Sequence, residues 1–113
     1  MPIQVNRLIS AATTNATLVR AGPGQILGLI ASNSNAAMRY FKLYNKATAP
    51  TVGTDIPLFT IGIPGNGAKD IVSLDNFIQG FNLGIGFALT AAAADADTGA
   101  VAAGEIVVNV FYK

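Results

Sequence analysis

Residues 81–90, with the sequence FNLGIGFALT, alternate large apolar side chains with small or polar ones. Successive side chains of a β-strand point to opposite faces, so Phe81, Leu83, Ile85, Phe87 and Leu89 would share one face and pack on a core. The opposite face carries Gly84 and Gly86, and glycine in a strand is typical of a close approach by something else. Two interpretations of this face remain open: a bend or packed neighbouring loop, and a smooth docking surface for another chain.

Turn-forming residues recur along the rest of the chain, with short β-rich runs between them. We predict strands near residues 3–9, 17–20, 25–32, 38–46, 57–63, 70–75, 81–90 and 105–112. Asn66-Gly67 is a strong hairpin signal and predicts that strand 57–63 turns back into strand 70–75. The pattern indicates an all-β fold, an antiparallel β-sandwich of about eight strands, and this strand count favours a jelly roll.

Two further strands carry candidate interface residues. In strand 38–46, Tyr40, Lys42 and Tyr44 lie on one face, which fits a solvated face, a protein interface, or a surface that stacks bases and holds phosphates. In strand 105–112, Val107 and Phe111 make the second face apolar as well as the first, as expected for a central strand or one beneath a partner.

The composition limits the function. The 113 residues include no cysteine and no histidine, which excludes disulfides, zinc fingers and the usual general base. Charged residues make up only 12% of the chain and the formal net charge is +1, which argues against nucleic acid or an acidic membrane as partner. No apolar run approaches the ~20 residues of a membrane span. We therefore expect no enzyme activity, cofactor or metal, and a surface partly buried against copies or partners.

The chain is long enough for one domain, residues 1–113. Residues 1–20 form either an extended N-terminal arm or an edge strand, and the beginning of the chain lacks the features of a signal peptide. The alanine-rich stretch 88–104 is interrupted by polar residues and glycine, so we predict a long loop after the strand. Its Asp95–Gly99 segment begins like a calcium loop but lacks the later ligands, which leaves a solvated acidic turn.

Three runs carry a resemblance to a known family. RYFKLYNK at 39–46 is followed by PTVGTDIP at 50–57, a hydrophobic strand and a Pro-Gly-rich segment, and ADADTG at 94–99 leads into the final strand EIVVN. Over most of residues 15–113 the chain resembles small structural proteins of tailed-bacteriophage virions, and among them capsid decoration (cement) proteins.

The resemblance implies a jelly-roll protein that is made in the host cytoplasm, binds the outer capsid and bridges neighbouring major capsid subunits. It also implies a homo-oligomer, either a trimer or a dimer. The alternative is a tail, neck or fibre component that binds a virion partner or a host glycan. The interface residues predicted from the strand patterns are Tyr40, Lys42, Tyr44, Gly84, Gly86, Val107 and Phe111.

Overall fold

The computed structural model describes residues 2–72 and 81–113. Within those ranges it contains eight strands and no helix. They are β1 (Gln4–Ile9), β2 (Thr17–Ala21), β3 (Ile26–Asn33), β4 (Arg39–Asn45), β5 (Phe59–Ile63), β6 (Gly67–Val72), β7 (Gly84–Thr90) and β8 (Ile106–Tyr112). The all-β prediction is confirmed, and residues 73–75 of the predicted sixth strand lie outside the described residues.

The strands form two four-stranded sheets. The first sheet has the order β1-β8-β3-β6 and the second has the order β2-β7-β4-β5. Antiparallel pairs join β1 to β8, β2 to β7, β3 to β6 and β4 to β5, as in one long folded hairpin. Two more antiparallel pairs, β3 with β8 and β4 with β7, roll that hairpin into a sandwich. This topology is a jelly roll, as the strand count predicts.

The core lies between the two sheets and is built from their alternating side chains. Phe41 and Phe87, on neighbouring strands of the second sheet, are fully buried with ring centroids 5.0 Å apart. The rings are tilted by 30° to each other, and such an aromatic pair contributes about 1 kcal/mol beyond the burial of its area. The buried apolar core consists of Ile26, Leu29, Ala31, Phe41, Leu43, Ile63, Phe81, Ile85, Phe87, Leu89, Val101, Ile106, Val108 and Val110.

One member of the alternating stretch departs from the pattern. Leu83 is 55% exposed, although Phe81 before it and Ile85 after it are buried. The strand begins only at Gly84, and Leu83 lies in the preceding bend, where its amide donates to the Asn45 side chain. The period-two prediction for residue 83 is wrong because the extended geometry on which it depends starts one residue later.

The predicted hairpin between strands five and six is also wrong. β5 belongs to the second sheet and β6 to the first, so the Pro64–Gly67 connection crosses between sheets. Asn66 has a positive φ of 50° and its amide donates to the Asn35 carbonyl. A turn is present at Asn66, but Gly67 has no positive φ and already begins β6, and contacts with the β3–β4 loop direct the chain to the other sheet.

Glu105 ties together the loops at one end of the sandwich. Its side chain is 5% exposed and accepts hydrogen bonds from the Asn35 amide, from the Arg39 guanidinium at 3.1 Å and from the Ala102 backbone amide at 3.1 Å. Burial alone would raise the pKa of Glu105, but these three donors outweigh it and hold the pKa below its usual value. The ionised carboxylate is therefore part of the folded state.

We expect Glu105→Gln to lower the free energy of unfolding by about 2 kcal/mol at neutral pH, because charge-assisted hydrogen bonds are lost. The folded pKa lies below the ordinary value of 4.5. The contribution of the carboxylate is thus complete above that pH and is lost as the pH falls through the folded pKa. Urea unfolding from pH 7 down to about pH 2 should show the gap between wild type and variant closing. The exposed carboxylate of Asp95 supplies the control, Asp95→Asn, and a gap that is independent of pH would contradict the assignment.

Candidate functional site

The outer face of the second sheet is covered by the chain's own loops. Lys42 on β4 is fully buried, and its Nζ donates to the Ala94 carbonyl at 2.5 Å. The loop after β4 and the loop after β7 meet above it, where Gly53 lies against the Thr98 side chain. We name these two segments, residues 46–58 and 91–105, the covering loops.

The glycine-lined side of β7 lies beneath the first covering loop. A Cβ on Gly84 would overlap the Lys46 carbonyl and lie 2.9 Å from the Ala47 Cα, and a Cβ on Gly86 would lie 3.2 Å from the Pro50 side chain. Both glycines are buried. Of the two interpretations of this face, the structure has the packed neighbouring loop, so Gly84 and Gly86 offer no surface to another chain in this conformation.

The Tyr40, Lys42 and Tyr44 face is not solvated, and that interpretation is wrong for two of its three residues. Tyr40 is half-buried, whereas Lys42 and Tyr44 are at most 1% exposed. Burial, followed by the negative charges of Asp55 and Asp95, raises the pKa of Tyr44. The pattern in β4 placed these side chains on one face but contained no information about the loops that cover it.

The outer face of the first sheet, in contrast, has no covering loop among the described residues. Register places Val5 beside Phe111 and Ile9 beside Val107, with Ile30 of β3 beside Asn109. Val5, Ile9 and Ile30 are 52%, 50% and 39% exposed, and the two β8 residues are half-buried. We name the surface formed by Val5, Ile9, Ile30, Val107 and Phe111 the bare face.

Charge is sparse on the bare face. Arg7 is the single charged residue that β1, β8 and β3 direct outward, since Gly28, Ser32 and Asn109 supply the remaining positions. An exposed apolar patch with few charges marks a place where a protein contacts another molecule. Val107 and Phe111 were predicted as interface residues from the two-sided pattern of β8, and the structure confirms β8 as a central strand.

Sequence reasoning missed the β1 and β3 members of this face. In residues 3–9 the odd positions Ile3, Val5 and Ile9 are apolar, but the structure turns them outward and points Leu8 to the core. The sequence of residues 3–9 does alternate, but such alternation predicts that the more apolar, odd-numbered set faces the core. An alternating strand whose apolar side faces out is itself the signal of an interface.

A shallow open pocket of about 440 Å³ adjoins one end of the bare face, between β3, β6 and β8. It is lined by Ser32, Asn33, Ser34, Asn66, Gly67, Gly104, Glu105 and Val107. Glu105 is engaged by the donors described above, and Asn33 donates to the backbone carbonyls of Ala37 and Ile63. These polar side chains are hydrogen-bonded within the protein and stabilise its loops. The pocket is therefore a recess in the surface and not a candidate ligand site.

Residues 2–72 and 81–113 contain no cluster of three or more aspartate, glutamate, histidine or cysteine side chains that could hold a metal ion. In the same ranges, no helix has the length and hydropathy needed to cross a membrane. Asp97, which the sequence placed in an acidic turn, accepts hydrogen bonds from the Ala92 and Gly99 amides and so shapes its own loop.

No protein-family model and no curated protein sequence matches the chain. Among solved structures, the fold is similar to the coat protein of Tobacco streak virus, with 8% sequence identity and a TM-score of 0.39. The match covers 98% of this chain and 85% of that protein. An overlap this loose carries no argument about function.

Gly84→Ala should lower the free energy of unfolding by about 2 kcal/mol, since the new Cβ meets backbone atoms that cannot move aside. Gly86→Ala is the matched control and should cost less than about 1 kcal/mol, because the new Cβ would lie 3.2 Å from the Pro50 ring and 3.4 Å from the Thr17 carbonyl, with no overlap of backbone atoms. Urea unfolding of the two variants measures the difference. Equal effects would show that the first covering loop does not hold its place on β7.

The Tyr44 hydroxyl is buried without a hydrogen-bond partner among the described residues. Tyr44→Phe should therefore leave the free energy of unfolding unchanged or raise it by about 1 kcal/mol, since a buried polar group without a partner is costly. Tyr112→Phe is the control, because its exposed hydroxyl donates to Gln4 at 3.0 Å. A loss of more than about 1 kcal/mol in Tyr44→Phe would reveal a partner for this hydroxyl.

Proposed function

We propose that this chain is a non-enzymatic structural protein of a tailed-phage virion, a capsid decoration protein that binds the outer capsid and bridges neighbouring major capsid subunits. In this proposal it is made in the host cytoplasm and acts on the capsid surface as a homo-oligomer. Nucleic acid and membrane have no part in it. The observation that carries the proposal is the bare face, an apolar surface on which β1, β8 and β3 direct a single charged residue, Arg7, outward.

The difference between the two sheets supports a docking role. Tyr44 and Lys42 lie under the covering loops, while Val5 and Ile9 on the first sheet are about half exposed. The loops of this chain cover the second sheet but leave apolar side chains of the first sheet exposed to water. This exposure is unfavourable in the free protein. That cost is offset when a partner surface covers the bare face in the assembled particle.

The jelly-roll topology is compatible with this role but does not decide it, because jelly rolls occur in viral capsids and in lectins alike. The sequence runs at 39–46 and 94–113 add the resemblance to phage virion proteins. Glycan binding that depends on Tyr40 or Tyr44 would favour the alternative, but Tyr44 is buried beneath the covering loops. The decoration role therefore has the stronger support.

The mechanism is adhesion by apolar area. Each bare face that docks across a joint between capsid subunits adds contacts that must break before the joint opens. Individual contacts of this size are weak, but several copies engaged at once, or one oligomer engaged through several subunits, bind far more strongly than any one contact. Stabilisation of the shell follows without catalysis or a cofactor.

The test is co-sedimentation of the purified protein with expanded capsids that lack it. Wild type should bind to saturation, whereas Val107→Thr/Phe111→Thr should bind at least about tenfold more weakly, because its central apolar contacts are truncated while β-propensity is kept. The matched control is Leu18→Thr/Leu58→Thr, which changes two exposed leucines of or beside the second sheet.

Absence of wild-type binding at saturating protein concentration contradicts the decoration role. Equal loss of binding in the two double variants would mean that the bare face is not the docking surface. Circular dichroism and urea unfolding of every variant distinguish lost contacts from lost folding.

A further inference from the structure

We propose that β1 is the site of self-association, and that two copies join through antiparallel pairing of their β1 strands about a two-fold axis at Asn6. The occupant of this edge is thus a second copy of the chain. The inference goes beyond the proposed function and does not rest on it, because it concerns the free protein in solution. It decides between the dimer and the trimer that the sequence left open.

The first observation is the direction of the main-chain groups of β1. The Ser10 amide donates to the Ile106 carbonyl at 2.8 Å, so Ser10 faces β8. Main-chain groups alternate along an antiparallel pair, and therefore Gln4, Asn6 and Leu8 also face β8. The N–H and C=O groups of Val5, Arg7 and Ile9 point to the opposite side. The Gln25 and Lys113 amides, which exchange hydrogen bonds across β3 and β8, fit the same alternation.

The second observation is that no strand of residues 2–72 and 81–113 pairs with this opposite side. β1 is the first strand of its sheet and packs chiefly on β8. An edge strand with unpaired main-chain groups is a template for another strand. β2, an edge of the second sheet, is shorter and is interrupted by a register shift between Leu18 and Arg20, which makes it a poorer template. β1 has six residues and no such shift.

The third observation concerns the register in which two β1 strands can pair. In one continuous sheet, side chains that face outward in one copy must lie opposite outward-facing side chains of the other copy. The two-fold axis therefore passes through a residue and not between two residues. With the axis at Asn6, Val5 lies opposite the partner's Arg7, and Ile3 lies opposite the partner's Ile9. With the axis at Arg7, the two arginines lie directly opposite, and such like-charge pairs are destabilising. Asn6 and Arg7 are the two axis positions nearest the middle of β1, and the single charge of the edge favours Asn6 of the two.

Symmetry sets the size of the assembly. Pairing through β1 merges two first sheets into one continuous sheet and places two bare faces side by side. The pair is isologous, so it closes at two copies.

Single cysteines test the register, because the chain has none of its own. In Asn6→Cys the two thiols lie across the axis in a non-hydrogen-bonded pair, with Cα atoms about 4.5 Å apart, which suits a disulfide. In Arg7→Cys the two cysteines lie diagonally across the strand pair, about 8 Å apart, which is too far for a disulfide. Thr60→Cys, exposed on edge strand β5, is the control for random collision. After mild oxidation, non-reducing gels should show a dimer for Asn6→Cys alone.

A second variant tests the pairing through a different readout. Val5→Pro removes an N–H that points to the free edge, so the β1–β8 hydrogen bonds are kept, while pairing with a second copy is blocked. Placed in the Asn6→Cys background, it should abolish the disulfide dimer and leave the circular dichroism spectrum unchanged. Sedimentation of wild type at increasing concentration should show a monomer–dimer equilibrium that Val5→Pro shifts to monomer.

Three results would overturn the inference. One is a dimer in Arg7→Cys without one in Asn6→Cys, which places the axis elsewhere. Another is equal cross-linking in all three cysteine variants, which means random collision. The third is no dimer in Asn6→Cys at any concentration. Since no capsid is present, none of these results affects the decoration role, and a failure of capsid binding leaves the β1 pair untouched.

Discussion

The burial of β7 on both faces is the constraint on which the rest of the structure depends. All seven residues from Gly84 to Thr90 are buried, although only one face meets the sandwich core. Phe87 and its neighbours supply that inner face, and the outer face is closed by loops that come within van der Waals distance of Gly84 and Gly86. A Cβ at Gly84 would displace the loop, because it would overlap the Lys46 carbonyl. The small residues of β7 therefore determine that this sheet is covered by its own chain.

This closure changes what the low charge content means. Only 12% of the residues are charged, so much of the uncharged surface must be buried if the domain is to stay soluble. The second sheet places much of it inside the molecule, where even Lys42 is fully buried with its Nζ held by a loop carbonyl. Of what remains exposed, Val5, Ile9 and Ile30 lie together on the outer face of the first sheet, whereas Ile56, Leu58 and Leu83 are exposed in the segments that precede β5 and β7. Such a grouping of apolar side chains on one sheet face is typical of a docking surface.

Local pattern predicted the strands well, because period-two alternation and turn residues are local properties. All eight strands were predicted, most with ends within two residues of those observed, and Phe41 and Leu43 were correctly separated from Lys42. The pattern could not predict which outer face would be covered. That depends on loops far along the chain, as the contact between Lys42 and Ala94 shows. The route of Pro64–Gly67 between the sheets was missed for the same reason, since Asn35 directs it.

The edge strands of the two sheets must be protected from unwanted pairing with other chains. A sandwich, unlike a closed barrel, leaves edge strands, and such strands are protected by bulges, charges or partners. β2 carries a register shift, whereas β1 carries Arg7 in its middle and apolar residues on either side. One arginine prevents pairing in the registers that oppose it to itself and permits pairing in the others. A charge placed this way narrows the registers open to a second copy, and the β1 pair that we propose avoids the excluded one.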